Sequence, residues 1–502
     1  MAEQSCGTAQ FRISTPLNHN KQTSAMHSMR LPVILATTLV TASVVSPALA
    51  ATYSRADFFS TEKLIAKNAP EFRSAASLDC VLPPAALTLS QAIDVALCRN
   101  PATRAAWAAA RMQAASLGVA EGAYLPSIST TGTYNRLSGE ITPGTITATE
   151  QDGKSVVASL SWTLIDFGAR HSEVSNARSL LAAAAHTGSA TAQRTVAEVV
   201  LAYYSVIATE QAVAANQQTE ANTAKSLEIA RALRGGGAAS LADVMQAETA
   251  YQQAVYSRIQ AGNAAAASHA SLAVLLGFTA DQPLALAAVA APSAPAVTAR
   301  VGELLSLAAQ QRPDLAAARD QRAAAEAAVA AARAAGRPRI SLGAQYSVSE
   351  FSVLPRQSYN AVGLTITVPI FSGLQTHYGI RRAEAALDEV TEQAEQFRLS
   401  VSLDIWKAYH SLEAANQALA TSAALLKAAT TNEEIAIGRY QSGVGSMLDV
   451  LTAQTAGSNA RLIRIQSEYS WQTARGQLAL AVGRLSSTAD LEAVAPTVTV
   501  PE

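Results

Sequence analysis

Scattered histidines, two aspartates that follow matching glycine turns and a pair of cysteines are the residues of this 502-residue chain to which chemistry would first be assigned. His171, His186, His269, His377 and His410 are scattered at wide intervals along the predicted helices, with His19 and His27 in the N-terminal leader, so no metal-ligand spacing arises. There is no phosphate loop with its lysine, no HExxH and no GxSxG elbow. Catalysis therefore has no candidate constellation, and neither a cofactor nor a metal is expected. Asp243 follows Gly235-Gly236-Gly237, and Asp449 follows Gly443-Val444-Gly445. A carboxylate in the first turn of a helix accepts backbone N–H bonds and complements the macrodipole, so capping alone accounts for both positions.

These aspartates belong to a duplication. Asp243-Val244 recurs as Asp449-Val450, 206 residues on, as do Ala202-Tyr203 and Ala408-Tyr409, Ser240 and Ser446, Ala247 and Ala453, Gly277 and Gly483. Before one short insertion the offset is 212, which relates Asn100-Pro101 to Arg312-Pro313, Pro126 to Pro338, Ile128 to Ile340 and Tyr134 to Tyr346. The chain is thus two copies of one design, residues 88–277 and 301–483, joined by a linker over 278–300 and followed by a tail over 484–502. A repeat of about 20 to 50 residues means a solenoid, whereas a unit this long means a duplicated domain half.

Composition is alanine-rich, low in aromatics and close to neutral, with a net charge of −1, so the basic footprint of a nucleic-acid partner is missing. Arg30, the apolar stretch Leu31 to Val45 and Ala48-Leu49-Ala50 read as a secretion signal over residues 1–50, with a membrane anchor as the alternative and Met26 or Met29 as the natural start. No cysteine sits at the cleavage site to accept a lipid. Within the segment 51–87 and the first helix, Cys80 and Cys98 then enter an oxidising space, where a bridge between them is expected; two independent buried thiols are the alternative.

Within each copy the apolar period changes from helix to strand and back. Leu89, Ile93, Ala96, Leu97, Trp107 and Leu117 keep helical spacing up to Pro126, with Thr88 or Ser90 as N-cap and a break at Asn100-Pro101. Alternation of period two follows, giving strands over about 127–136 and 156–165 around a polar loop at 135–155, then over 339–349 and 361–371 in the second copy. Each strand is about ten residues long, the length of a tilted membrane-crossing strand, and one face carries small polar residues. Residues 169–235 and 375–441 contain no proline and form two long helices, each followed by a shorter returning helix at 240–277 or 446–483. No segment after the signal reads as a membrane helix. Four strands cannot close a barrel alone, and open edges in lipid leave backbone groups unpaired, so several protomers must pool their strands.

The ordered set resembles the outer membrane efflux family, the TolC-like channel-tunnels, from about Leu87 to Leu485. It is carried by the helix, hairpin, long helix, short helix order given twice. It is also carried by Leu164-Ile165-Asp166-Phe167-Gly168 and Pro369-Ile370-Phe371-Ser372-Gly373 at the strand-to-helix junctions, and by Leu241-Ala242-Asp243-Val244 and Leu448-Asp449-Val450-Leu451 after the glycine turns. The resemblance implies a mainly α protein with membrane β: a homotrimer whose duplicated protomers form a 12-stranded β-barrel in outer membrane lipid and a 12-helix α-barrel across the periplasm. It implies a passive conduit for small molecules or type I protein secretion, served by an inner-membrane transporter and a periplasmic adaptor. It further implies a periplasmic gate in which Tyr440 pairs with Asp243 and Asp449 lines the aperture, where three clustered carboxylates would favour cations. The chain departs from that pattern at Thr452, where some members carry a second acid, and at Gly445, where some carry a gate arginine. A structural periplasmic coiled coil or adaptor without a pore is the rival reading.

Overall fold

The computed structural model describes residues 56–69, 80, 82, 86–138, 150–287, 300–352 and 354–485. The signal at 1–50, much of 51–87, the middle of the 278–300 linker and the tail beyond residue 485 lie outside the described residues. The elements run α1 (Lys63–Asn68), α2 (Leu89–Arg99), α3 (Pro101–Gly122), β1 (Ser127–Ser138), β2 (Glu150–Ile165), α4 (Ala169–Gly235) and α5 (Leu241–Leu275). The second copy continues with α6 (Val301–Gln311), α7 (Pro313–Ala334), β3 (Arg339–Phe351), β4 (Leu354–Thr367), α8 (Gln375–Gln441) and α9 (Met447–Val482).

Short helices meet end to end at proline corners. Thr88 caps α2 in a reciprocal capping box with Gln91, and Asn100 closes α2 while its side chain accepts from the Ala102 N–H at 2.8 Å to open α3. Pro101 at the first helical position forfeits only an N–H that has no intrahelical partner there. The returning helices end against these corners. Asn100 Nδ2 donates to the Leu275 carbonyl at 2.9 Å, and Arg312 Nη1 donates to Ala481 at 3.0 Å. Gly277 and Gly483, at φ 80° and 83°, sit so close to Arg99 and Arg312 that a Cβ would fall about 2.8–2.9 Å from the corner backbone, so the duplicated glycines mark a shared close approach.

At 67 residues each, α4 and α8 reach about 100 Å at 1.5 Å per residue. The antiparallel pairs α4·α5 and α8·α9 lie alongside the stacked short helices, with α4 also against α7 and α9. One apolar core gathers Ile93, Val95, Val196, Val199, Val200, Tyr203, Leu272 and Leu276, and another gathers Val401, Ile405, Leu412, Leu419, Trp471 and Leu478. A stretch of α4 is apolar enough by length and composition to cross a bilayer, contrary to the sequence reading. Val196, Val199, Val200 and Val206 of α4 are buried in the first core against partner helices, which accounts for their hydrophobicity without lipid.

The four strands form one antiparallel sheet in the order β1-β2-β3-β4, leaving β1 and β4 as its edges. Three boundaries differ most from the sequence reading. β2 begins at Glu150 instead of 156 and β4 begins at Leu354 instead of 361, because the paired strand satisfies the backbone of polar residues that alternation of hydrophobicity does not mark. β4 also stops at Thr367, short of 371, since Pro369 lacks an N–H for the ladder. The register aligns Ile128 with Leu160, Leu160 with Ala344 and Ala344 with Val362, so one face is apolar across all four strands. Ser129, Ser159 and Gln345 align on the other face, where the two serine hydroxyls hydrogen-bond at 2.9 Å.

Candidate functional site at the helix turns

At the tips of the two long helix pairs, Leu227 and Ala230 of α4, Val244 and Ala247 of α5, Tyr440 of α8 and Met447 and Val450 of α9 close into a small apolar cluster. The glycine turns make this possible by reversing the chain at positive φ at Gly237 and Gly443. Ser240 and Ser446 then cap α5 and α9, each accepting from the aspartate N–H three residues on and donating its own N–H to that carboxylate. Both Asp243 and Asp449 are therefore engaged in capping boxes. Hydrogen bonds from Ser446, aided by the positive charge of Arg439, hold the Asp449 carboxyl below its ordinary value of 3.8, so it is charged at neutral pH.

Tyr440 is 7 % exposed, and its hydroxyl has no hydrogen-bond partner among the described residues. Burial, with the negative charge of Asp243 nearby, pushes its pKa above the ordinary value, so it stays a neutral donor. The Tyr440–Asp243 hydrogen bond that the resemblance implies is not formed here, because Asp243 turns back to Ser240. Gly445 donates to the Arg439 carbonyl at 3.2 Å, and a Cβ on it would sit 3.2 Å from Tyr440 N, so the turn itself favours glycine at this position. Thr452 bonds back to the Leu448 carbonyl at 2.8 Å.

Just beyond this cluster lies a polar layer that the sequence did not reveal. Glu433 of α8, only 4 % exposed, accepts from Arg461 Nη2 of α9 at 2.6 Å and from Asn222 Nδ2 of α4 at 2.8 Å. Gln454 of α9 donates to Ser226 Oγ at 2.8 Å, and Thr219 donates to Ser458 at 3.2 Å. The one available signal was Gly457 inside a helical pattern, where a Cβ would clash with the Glu433 carboxylate.

At the opposite end, Asp166 ties the β2–α4 junction. It receives the Gly168 and Arg170 N–H groups and pairs with the Arg170 guanidinium at 2.6 Å; that guanidinium also donates to Thr163 and Leu164 carbonyls and stacks on Tyr124. Cys80 and Cys98 lie together as a disulfide pair, their Cα atoms 5.8 Å apart, between the N-terminal segment and α2. His186, His269 and His410 each meet a carboxylate, Asp320, Glu210 and Glu413 respectively, on three separate parts of the helices. Among the described residues no three His, Cys, Asp or Glu side chains converge on a metal-sized site.

A sheet with one apolar and one polar face, continued by paired helices of about 100 Å, defines a membrane channel protein with a long helical extension. The family model described as "Outer membrane efflux protein" matches residues 92–278 and 304–484, one match per copy, and the chain belongs to that family. Protein CyaE of Bordetella pertussis is 32% identical over 435 residues, covering 84% of this chain and 90% of its own. The outer membrane efflux protein BepC of Brucella suis is 26% identical, covering 80% and 86%. Among solved structures, the outer membrane protein VceC from Vibrio cholerae superimposes with a TM-score of 0.69 at 20% identity, covering 79% of this chain and 96% of its own. The protein is accordingly an outer membrane protein of the efflux and export class, with TolC-like architecture.

Proposed function

We propose that three copies of this chain pool their sheets into one 12-stranded barrel and their helices into one 12-helix periplasmic tunnel, a passive duct without chemistry of its own. The observation that carries this reading is the open four-stranded sheet whose apolar face includes Ile128, Val362, Leu364 and Ile366, all well exposed on the single chain, with β1 and β4 unpaired at its edges. Edges left open in hydrocarbon cost several kcal/mol per unsatisfied backbone group, and joining β4 of one copy to β1 of the next removes every edge. Serine, threonine and glutamine on the opposite face suit a wet lumen. The apolar face also speaks against a poreless periplasmic scaffold.

The duct takes cargo from an inner-membrane transporter through a periplasmic adaptor that engages the helix tips, where Asp243, Tyr440 and Asp449 form the gate region. Cargo spans small molecules and type I secreted protein; among relatives, two are named for pyoverdine export. Mass measurement of the detergent-purified protein tests the assembly, with a trimer expected, and reconstitution in planar bilayers tests the pore. A stable monomer in bilayers overturns the reading.

A further inference from the structure

We infer that Phe58 and Phe59, just ahead of α1, form an anchor seated in the phospholipid headgroup layer on the periplasmic side of the outer membrane. The inference rests on the reading of the sheet as the membrane-crossing part and adds a lipid contact made from the helical part. Two contacts set the direction of this segment. The Phe59 ring lies against Gly118 of α3, where a Cβ would sit 3.9 Å from its Cδ2, and Glu62 pairs with Arg111 Nε at 3.1 Å. The chain therefore runs antiparallel to α3, with its phenylalanines toward the end of α3 that leads into β1. At that end Trp162, on the same face of β2 as Leu160, donates its indole N–H to the Tyr124 carbonyl at 2.8 Å, and Tyr124 and Leu125 are exposed. Tryptophan and tyrosine at the foot of an apolar sheet mark the boundary between hydrocarbon and headgroups. From Gly118 to Tyr124 is about 9 Å at helical rise, and the headgroup layer is about 5 to 8 Å deep on each side of a bilayer. Phe58 precedes Phe59 on the sheet side, so it lies closer still to that layer.

Three observations make this an anchor rather than ordinary packing. The core that holds α1 down is built from Ile65 and Ala69, fully buried against Leu117 of α3 and Leu181 of α4, and neither phenylalanine belongs to it. Phe58 is 69% exposed and Phe59 41% exposed, although burial of an aromatic ring is among the largest gains open to a side chain. Second, the pair is presented on a fixed turn. The Asp57 carboxylate accepts the Thr61 and Glu62 N–H groups, each at 3.0 Å, and Ser60 is held at φ 54°, a conformation that costs a non-glycine residue energy and persists where the surroundings enforce it. Third, the pair continues an apolar surface that already faces lipid, with Tyr124 and Leu125 between it and the sheet. An interfacial segment of this kind buries its apolar side about 5 to 10 Å into the boundary of headgroups and acyl chains. Copies of the segment on the lumen side would obstruct the duct, so its place is on the outside of the helices.

The test is spin labelling of the full-length protein in vesicles of phosphatidylethanolamine and phosphatidylglycerol, with the nitroxide carried by Phe58→Cys, Phe59→Cys, Lys67→Cys or Val362→Cys. Cys80 and Cys98 are paired, so the new thiol alone takes the label. Collisions with molecular oxygen, which concentrates in lipid, are compared with collisions with a water-soluble nickel chelate. The oxygen-to-nickel ratio at Phe58 and Phe59 is expected to be several-fold above that at Lys67, an exposed residue on the same segment farther from the sheet, and below that at Val362 on the apolar face. A ratio equal to that of Lys67, or few collisions with either reagent, as under a second copy or a protein partner, overturns the anchor while Val362 still reads lipid. A water-like ratio at Val362 overturns the membrane reading of the sheet and the anchor with it. Either phenylalanine position carries the test should the other variant fail to assemble.

Discussion

The two copies share a register but not a packing. In the first, Tyr203 is buried and donates its hydroxyl to the Leu87 carbonyl at 3.1 Å, while Leu87 bridges to Leu286, so the segment before α2 is bound into the core. Its counterpart Tyr409 is only half-buried and meets His410 edge-on. In the second copy the weight falls on Trp471, which fills the core and donates to Asn416 at 2.6 Å, where the first copy has Ala265 and Glu210. The strand-to-helix junctions diverge likewise. Both turn through two positive-φ residues, Phe167-Gly168 and Gly373-Leu374, but Asp166 and Arg170 lock the first, whereas the second has the Ser372 and Thr376 hydroxyls 2.9 Å apart. Equal elements thus leave room for unequal cores, because the helix period sets which face is buried and the neighbours set what fills it.

This contrast predicts unequal sensitivity. Leu272→Ala, in the first core with no exposed surface, is expected to cost about 3 kcal/mol through lost burial and a cavity, seen as a lower Tm in detergent; an unchanged Tm would mean that Leu272 does not anchor the first core. Cys98→Ser opens a loop of 18 residues and is expected to cost about 2 to 3 kcal/mol, also confined to the first copy. Non-reducing peptide mapping checks the pairing directly, and two free thiols would refute it. Trp471→Phe keeps most of the second core's volume but strands the Asn416 carbonyl oxygen, with about 1 kcal/mol expected and little change in the first copy's protease resistance.

Smaller effects belong to the tips, where the copies agree. Ser240→Ala and Ser446→Ala each remove a cap and are expected to cost about 1 kcal/mol alike; a large difference would show that the two capping boxes are not equivalent. Asp449→Asn is expected to weaken cation block and selectivity with little change in Tm, whereas unaltered selectivity would remove Asp449 from the aperture. The pH dependence has a definite sign. A carboxyl held below its ordinary 3.8 contributes fully above that value and loses its contribution as pH falls through its lowered folded value, so the Asp449 cap is expected to weaken only below pH 3.8, as a pH series of Tm would show.

Much of the architecture was legible because long proline-free helices and alternating strands repeat at one offset. The bounds of α4 and α8 could be read from uninterrupted period and the flanking glycines, and the α2–α3 corner from Asn100-Pro101. The true starts of β2 and β4 could not, since backbone pairing continues through polar residues once a partner strand lies alongside. At the tips, sequence offered Asp243, Tyr440 and Asp449, and the structure puts the two aspartates into capping and buries the tyrosine without a bond. Glu433 escaped notice because an isolated glutamate on a helix reads as solvated.

By itself the sequence determined the duplication, the order of elements, the two-faced sheet and the absence of a catalytic motif, all of which follow from local period and residue type. Only the tertiary structure decided that Glu433, Asn222 and Arg461 meet, that Tyr203 reaches across to Leu87, and that Gly457 makes room for a carboxylate. Those contacts join residues from 24 to 211 positions apart, and such meetings depend on how helices cross rather than on any spacing along the chain.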